Sequence, residues 1–140
     1  MKAGGAGFVI YLSETHYFCF SMGCGSSSNT RAELLALWVV LRVSYLMGLP
    51  IRSIYGDSMV IISWINELSA LDLPSLIHWC EDIKYMKRLA PQVIFMHIFR
   101  EHNMLADSLS KQAVNLNIGF ALFTEYRDGK AIENGHYNIF

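Results

Sequence analysis

Between Leu34 and Met47 only Arg42 and Ser44 interrupt a run of apolar residues. A helix built from such a run has almost no polar face to give to water, so other elements must cover it on most sides. The run is also shorter than the roughly 20 residues needed to cross a bilayer. The cover must therefore come from the chain itself, which has 140 residues, 53% of them hydrophobic, enough for one domain with a continuous core.

The remaining patterns supply the layers. Phe8-Val9-Ile10-Tyr11-Leu12 and His16-Tyr17-Phe18-Cys19-Phe20-Ser21-Met22 are aromatic and β-branched runs joined by Ser13-Glu14-Thr15, which predicts a β-hairpin. After the small-residue loop from Gly23 to Asn29, Thr30 is placed to cap a helix starting near Arg31. Glu33 at the third helical position would close a capping box, and Gly48 stops the helix. Following Pro50, Ile51 to Tyr55 predicts a short strand that ends at Gly56-Asp57-Ser58, where a helix over 59–66 begins. Pro74 suits the first turn of an amphipathic helix reaching about Leu89. Val93 to Phe99 is a largely apolar strand of the kind covered on both faces, in which His97 is expected as a hydrogen-bonded core residue. A polar loop, Arg100 to Asn103, leads into a helix from Met104 to about Val114. The order β, β, α, β, α, α, β, α defines an α/β chain with a mixed sheet and helices packed on it. Residues 1–114 hold this domain. Residues 115–140 form a C-terminal tail with the strand-like Phe120 to Phe123, a turn at Asp128-Gly129 and a short edge pairing over 137–140.

Charge and cysteine content exclude several classes. Eleven basic and twelve acidic residues give a net charge of −1, so the broad positive field of an ordinary nucleic-acid binder is missing. Cys19, Cys24 and Cys80 are odd in number and lack CxxC spacing, which points to buried free thiols rather than a disulfide framework or thiolate zinc site. The opening Met1-Lys2-Ala3-Gly4-Gly5 has no long apolar stretch of a cleavable leader. The expectation is an intracellular protein of the nucleus or cytoplasm, not secreted and not membrane-bound.

Three carboxylates stand at element boundaries of this apolar chain: Glu33 in Arg31-Ala32-Glu33-Leu34, Asp57 after Tyr55-Gly56, and Asp107 in Arg100-Glu101-His102-Asn103-Met104-Leu105-Ala106-Asp107-Ser108. Apolar surroundings make a carboxylate costly to desolvate unless a positive group holds it, and three together suggest a shared cation. Each has a plainer reading as well. Glu33 could only complete the capping box, Asp57 could only cap the helix after it, and Asp107 could lie on a solvated face.

With the elements in this order, the segments resemble the ribonuclease H type 1 superfamily, in the reverse-transcriptase-associated form of plant retroelements. That family has a Gly-rich hairpin, "AE" near the start of a capped helix, a strand ending in "DS" and a final "RE-x-N-x-x-A-D". This chain carries Gly5-Ala6-Gly7, Ala32-Glu33, Asp57-Ser58 and Arg100-Glu101-His102-Asn103-Met104-Leu105-Ala106-Asp107 in that order, over residues 4–112. The resemblance implies hydrolysis of the RNA strand of an RNA·DNA hybrid with two Mg²⁺ (or Mn²⁺) ions held by Glu33, Asp57 and Asp107. It implies Asn29, Ser58, His102 and Asn103 as substrate-side residues. Two such ions about 3.5–4 Å apart can activate a water and stabilise the leaving oxygen, and Mg²⁺ prefers oxygen ligands of this kind.

The resemblance also implies a first strand, central in the sheet, with an aspartate in an "F-D-G" segment, and the chain as given begins within the loop that follows it. The expectation is an RNase H-like fold truncated at its N-terminus, with impaired hydrolysis. The alternative is a catalytically inactive remnant that binds nucleic acid or forms a homodimer through an unpaired sheet edge. Tyr126-Arg127-Asp128-Gly129 looks like a strand followed by Asp-Gly, yet a tail packed outside the sheet is expected over one that fills the slot.

Overall fold

A computed structural model describes residues 4–25, 29–56, 58–97 and 120–138. The elements are β1 (Gly4–Tyr11), β2 (His16–Gly25), α1 (Asn29–Met47), β3 (Ser53–Gly56), α2 (Met59–Ile65), a 3-10 turn (Pro74–Leu76), α3 (Ile77–Leu89), β4 (Ile94–His97), β5 (Phe120–Arg127) and β6 (Lys130–Asn138). They form a mixed six-stranded sheet in the order β4-β3-β1-β2-β5-β6. The β3–β4 pair is parallel and the others are antiparallel. The helix expected over 104–114 lies outside the described residues.

Strand alternation builds the core. Phe8, Ile10, Phe18, Phe20, Met22, Ile54 and Phe95 point to one face, where Leu34, Leu37, Val40 and Leu41 of α1, Ile61, Ile62 and Ile65 of α2, and Ile83 and Met86 of α3 cover them. The near-continuous apolar run of α1 is used as its pattern requires, because Val39 and Ala36 are buried as fully as Leu37. The last turn departs from that expectation: Tyr45, Leu46 and Met47 are exposed. A second departure concerns β4. Phe95 is buried, but Ile94 is 55% and Met96 41% exposed, so only one face of this edge strand is covered. His97 is half-buried at its end rather than in the core.

The space that the resemblance reserves for a central strand is closed. β1 pairs directly with β3, matching Phe8 with Gly56, Val9 with Tyr55, Ile10 with Ile54 and Tyr11 with Ser53.

Residues 120–138 do not pack outside the sheet; they extend it beyond β2. The two-residue turn between β5 and β6 places Asp128 at φ 54° and Gly129 at φ 79°, the left-handed pair that an Asp-Gly hairpin turn needs. Tyr126 stacks on Tyr17 with centroids 5.1 Å apart, and Glu125 meets His16 Nε2 at 2.5 Å. A Cβ at Gly135 would run into the Phe123 ring, so the glycine lets that ring lie flat across β6. The Asp128 amide donates to the Thr15 carbonyl at 2.9 Å, which fixes Asp128 at the β1–β2 turn and excludes it from the space between β1 and β3.

On the other face of the sheet Cys19 packs with Val9, and burial pushes its thiol up to about 12 from an ordinary 9.0. Burial likewise raises the Tyr11 hydroxyl, with Tyr17, Cys19 and Tyr55 adding to it. Cys19 is thus a buried free thiol as expected, Cys80 is a half-buried one, and the Cys24 side chain lies outside the described residues. A raised thiol pKa contributes stability that is complete below pH 9 and is lost as pH rises toward about 12, because the unfolded chain releases the proton first. Unfolding free energy should fall above pH 9, with Cys19 contributing up to about 1.4 kcal/mol per pH unit. Urea titrations at several pH values check this, and Cys19→Ala should show a shallower decline.

Candidate active site

Glu33 lies one full turn inside α1, because the helix begins at Asn29, two residues before the expected start. Thr30 is therefore within the first turn rather than at the cap, and the capping-box reading of Glu33 gives way to a different placement. Its side chain is only 5% exposed, between the buried Ala32 and Leu34. Sequence neighbours alone could not distinguish the two, since a capping acid and a buried acid differ by a single turn of helix.

The rest of α1 shows toward which end of the sheet Glu33 lies. Val40, Val43, Ser44 and Met47 line a small apolar cavity of about 30 Å³ with Ile10, Phe18 and Phe123. From Ser44 back to Glu33 the helix rises about 16 Å. Glu33 is thereby carried away from the β1–β2 turn, toward the end where Gly56 pairs with Phe8 on one side and His97 on the other.

At that end β3 gives way to α2 within two residues. Ser58, with extended backbone at φ −90° and ψ 110°, is the N-cap of α2, and its hydroxyl accepts from the Ile61 amide at 3.3 Å. The cap is therefore Ser58 and not Asp57. Two contacts hold the far end of α2: the Asn66 side-chain amide donates to the Phe95 carbonyl at 3.0 Å, and the Lys87 ammonium to the Ile65 carbonyl at 2.5 Å. A cation at a helix C-terminus also complements the helix dipole. Neither Asn66 nor Lys87 carries a sequence signal of this role, because each reaches an element distant in the chain.

Of the other expected site residues, Asn29 opens α1 but its side chain lies outside the described residues. Asp57, His102, Asn103 and Asp107 lie outside them altogether. Among the described residues no group of three or more His, Cys, Asp or Glu is placed to hold a metal ion. No helix among them is long and apolar enough to cross a membrane.

The mixed sheet with helices on the Phe8–Ile10 face follows the RNase H-like fold. The chain matches the reverse transcriptase-like family over residues 1–113 and belongs to it. It is 29% identical over 106 residues to a protein of Arabidopsis thaliana that carries a ribonuclease H name, covering 74% of this chain and 17% of that one. The chain thus spans a minor part of that curated relative. Among solved structures, it resembles the compost-derived LC11-RNase H1 in complex with an RNA/DNA hybrid, with a TM-score of 0.57 at 20% identity over 77% of this chain and 94% of that one. It also resembles the N-terminal RNase H domain of a Mycobacterium tuberculosis protein, with a TM-score of 0.58 at 16% identity over 81% of this chain and 96% of that one. At these identities the likeness shows the fold.

The tightest point of this end is Gly56. A Cβ there would lie 2.7 Å from Phe8 Cε1 and 3.3 Å from Ile62 Cδ1. Phe8 is fully buried, so its ring has little room to move. Gly56→Ala should lower stability by about 1–3 kcal/mol through overpacking. Chemical denaturation measures it, and the double variant with Phe8→Leu should regain part of the loss.

Proposed function

We propose that the chain is an RNase H-like domain of retroelement origin, from the plant branch, that engages the RNA strand of RNA·DNA hybrids inside the cell, in nucleus or cytoplasm. The observation that carries this is Glu33, a carboxylate only 5% exposed one turn into α1, in a chain that matches the reverse transcriptase-like family over residues 1–113. Glu33, Asp57 and Asp107 are the assigned metal ligands and catalytic carboxylates. Their donor chemistry fits Mg²⁺ or Mn²⁺, which prefer carboxylate oxygens. When bound, such ions polarise a phosphate and activate water.

The chain's own residues bind and orient. Asn29, His102 and Asn103 are assigned to the substrate side. The Ser58 hydroxyl is engaged with the Ile61 amide, so Ser58 serves by fixing the start of α2 beside Asp57. Reduced turnover is part of this proposal, because the direct β1–β3 pairing leaves no gap in the sheet for a further strand between them. Losing a ligand should cost more than the roughly 10–100-fold typical of residues that only orient ligands. The direct β1–β3 pairing favours the second reading, retention of hybrid without turnover, because it occupies the position of the strand that would bear the family's first aspartate. Self-association through an unpaired edge belongs to the same reading, with β4 and β6 as the outer strands.

A fluorescent RNA·DNA hybrid tests these assignments. Binding should strengthen with Mg²⁺ or Mn²⁺, and Glu33→Gln should abolish that dependence while leaving the far-UV circular dichroism unchanged. Binding indifferent to the metal would overturn the ligand assignment. Rapid metal-dependent cleavage that Asp57→Asn abolishes would overturn the reduced turnover, and a monomer at every concentration in size-exclusion chromatography would overturn self-association.

A further inference from the structure

The alternation that sends Phe8, Ile10 and Ile54 toward the helices sends Tyr11, Tyr17, Tyr55 and Tyr126 to the other face. Strand register sets the four rings in a row across β5, β2, β1 and β3, with centroid spacings of 5.1, 5.2 and 5.3 Å. Cross-strand aromatic pairs stabilise a sheet, and that suffices for Tyr17 and Tyr126. It does not explain what adjoins Tyr55.

Beyond Tyr55 the row opens into a groove of about 460 Å³. Tyr11 and Tyr55, the exposed Ile94 and Met96 of β4, and Arg52 and Glu14 line it. Arg52 is exposed, and its guanidinium makes no ion pair with any described residue. The groove lies at the Tyr11–Ser53 end of the β1–β3 pairing and on the outer face, away from the Phe8–Gly56 end toward which Glu33 lies.

We propose that this groove binds one unpaired nucleotide of a single-stranded nucleic acid, its base against Tyr55 and Met96 and its phosphate on Arg52. The volume falls within the roughly 300–1,000 Å³ of small-ligand sites. A protein partner would need about 800 Å² of matched surface instead. A tyrosine ring offers a face on which any base can stack, and a free guanidinium matches a phosphate bidentately. The carboxylate of Glu14 can accept from an exocyclic amine, which favours cytosine over uracil or thymine. The tyrosine row continues past the groove over Tyr17 and Tyr126, which extends the aromatic surface along the path of one strand. A duplex is excluded because its bases are already stacked and paired. This site goes beyond the hybrid engagement proposed above and does not depend on it.

The test uses the full chain, fluorescein-labelled single-stranded oligocytidine and oligouridine octamers, and cytidine monophosphate, read by anisotropy and competition without divalent metal. The cytosine octamer should bind more tightly than the uracil octamer. Arg52→Gln should weaken octamer binding about 10-fold, as should Tyr55→Leu, the scale of losing one stacked base, while Tyr55→Phe retains it. Lys130→Gln, an exposed cation outside the groove, should leave binding unchanged. No octamer binding, equal loss in the Arg52 and Lys130 variants, or a monophosphate that binds as tightly as the octamer would each overturn the proposal. Glu33→Gln should leave octamer binding intact, which separates failure here from failure of the metal assignment.

Discussion

Everything in this sheet depends on the antiparallel contact of β1 with β3. It joins the β1–β2 hairpin with its tail strands to the parallel β3–β4 pair, and no other pairing among the described residues bridges the two halves. The contact is only four residue pairs long, from Phe8–Gly56 to Tyr11–Ser53. At one end it needs a residue without a side chain, since Phe8 occupies the space above Gly56. In the middle Ile10 and Ile54 meet beneath the helices, and at the other end Tyr11 and Tyr55 come edge to face. One register therefore sets both the tight end toward which Glu33 lies and the open end that carries the tyrosine groove. A slip by one residue would exchange the two faces and bury tyrosines where the isoleucines now pack.

The parts of this arrangement that could be read from the sequence are those governed by local pattern. Two largely aromatic or β-branched runs around Ser13-Glu14-Thr15, an almost wholly apolar helix, and Gly56-Asp57-Ser58 between a strand and a helix each carry their instruction within a short stretch of chain. The tail was harder because β5 has no meaning until it is paired. Phe123 belongs with the helix-side core, Tyr126 with Tyr17, and Glu125 with His16, three partners on two faces of a strand more than a hundred residues away. The site divides in the same way. Glu33 stands in a recognisable local context, whereas Tyr11, Arg52, Tyr55 and Met96 form a groove only through register, and no linear motif spans them.

A chain with net charge −1 that engages a polyanion must do so locally, and the described cations show why. Lys84 lies over the Trp64 ring at 5.6 Å, Lys87 caps the end of α2, and Arg88 lies over Tyr85 at 6.0 Å. Three of the basic residues of α3 are thus engaged in holding helices and rings, and Arg127 leans toward Glu125 at 3.9 Å. The α3 side chains keep their charge beside neutral partners, but eleven basic against twelve acidic residues leave no broad positive field to steer nucleic acid beyond a Debye length of about 8–10 Å. Recognition would then rest on contacts that act at bonding distance, namely carboxylates organising metal at one end and a free guanidinium beside aromatic rings at the other.

The two ends differ in the physics they use, and this bears on how one strand could meet both. Carboxylates gain affinity for phosphate only through a bound cation, so the Glu33 end should respond to divalent metal and fall silent without it. The groove needs no metal, because stacking and a guanidinium act on a base and its phosphate directly. It also faces solvent on the side of the sheet away from the helices that bury Glu33. A hybrid lying across the Glu33 end keeps its bases paired and presents only backbone there. A single strand leaving such a duplex exposes bases, which are what the tyrosine face can hold. Tyr11 and Phe8 are three residues apart on one strand, about 10 Å at the usual rise. A strand passing around the edge at β4 would therefore have a short path between the two surfaces, and the exposed Ile94 and Met96 lie along it.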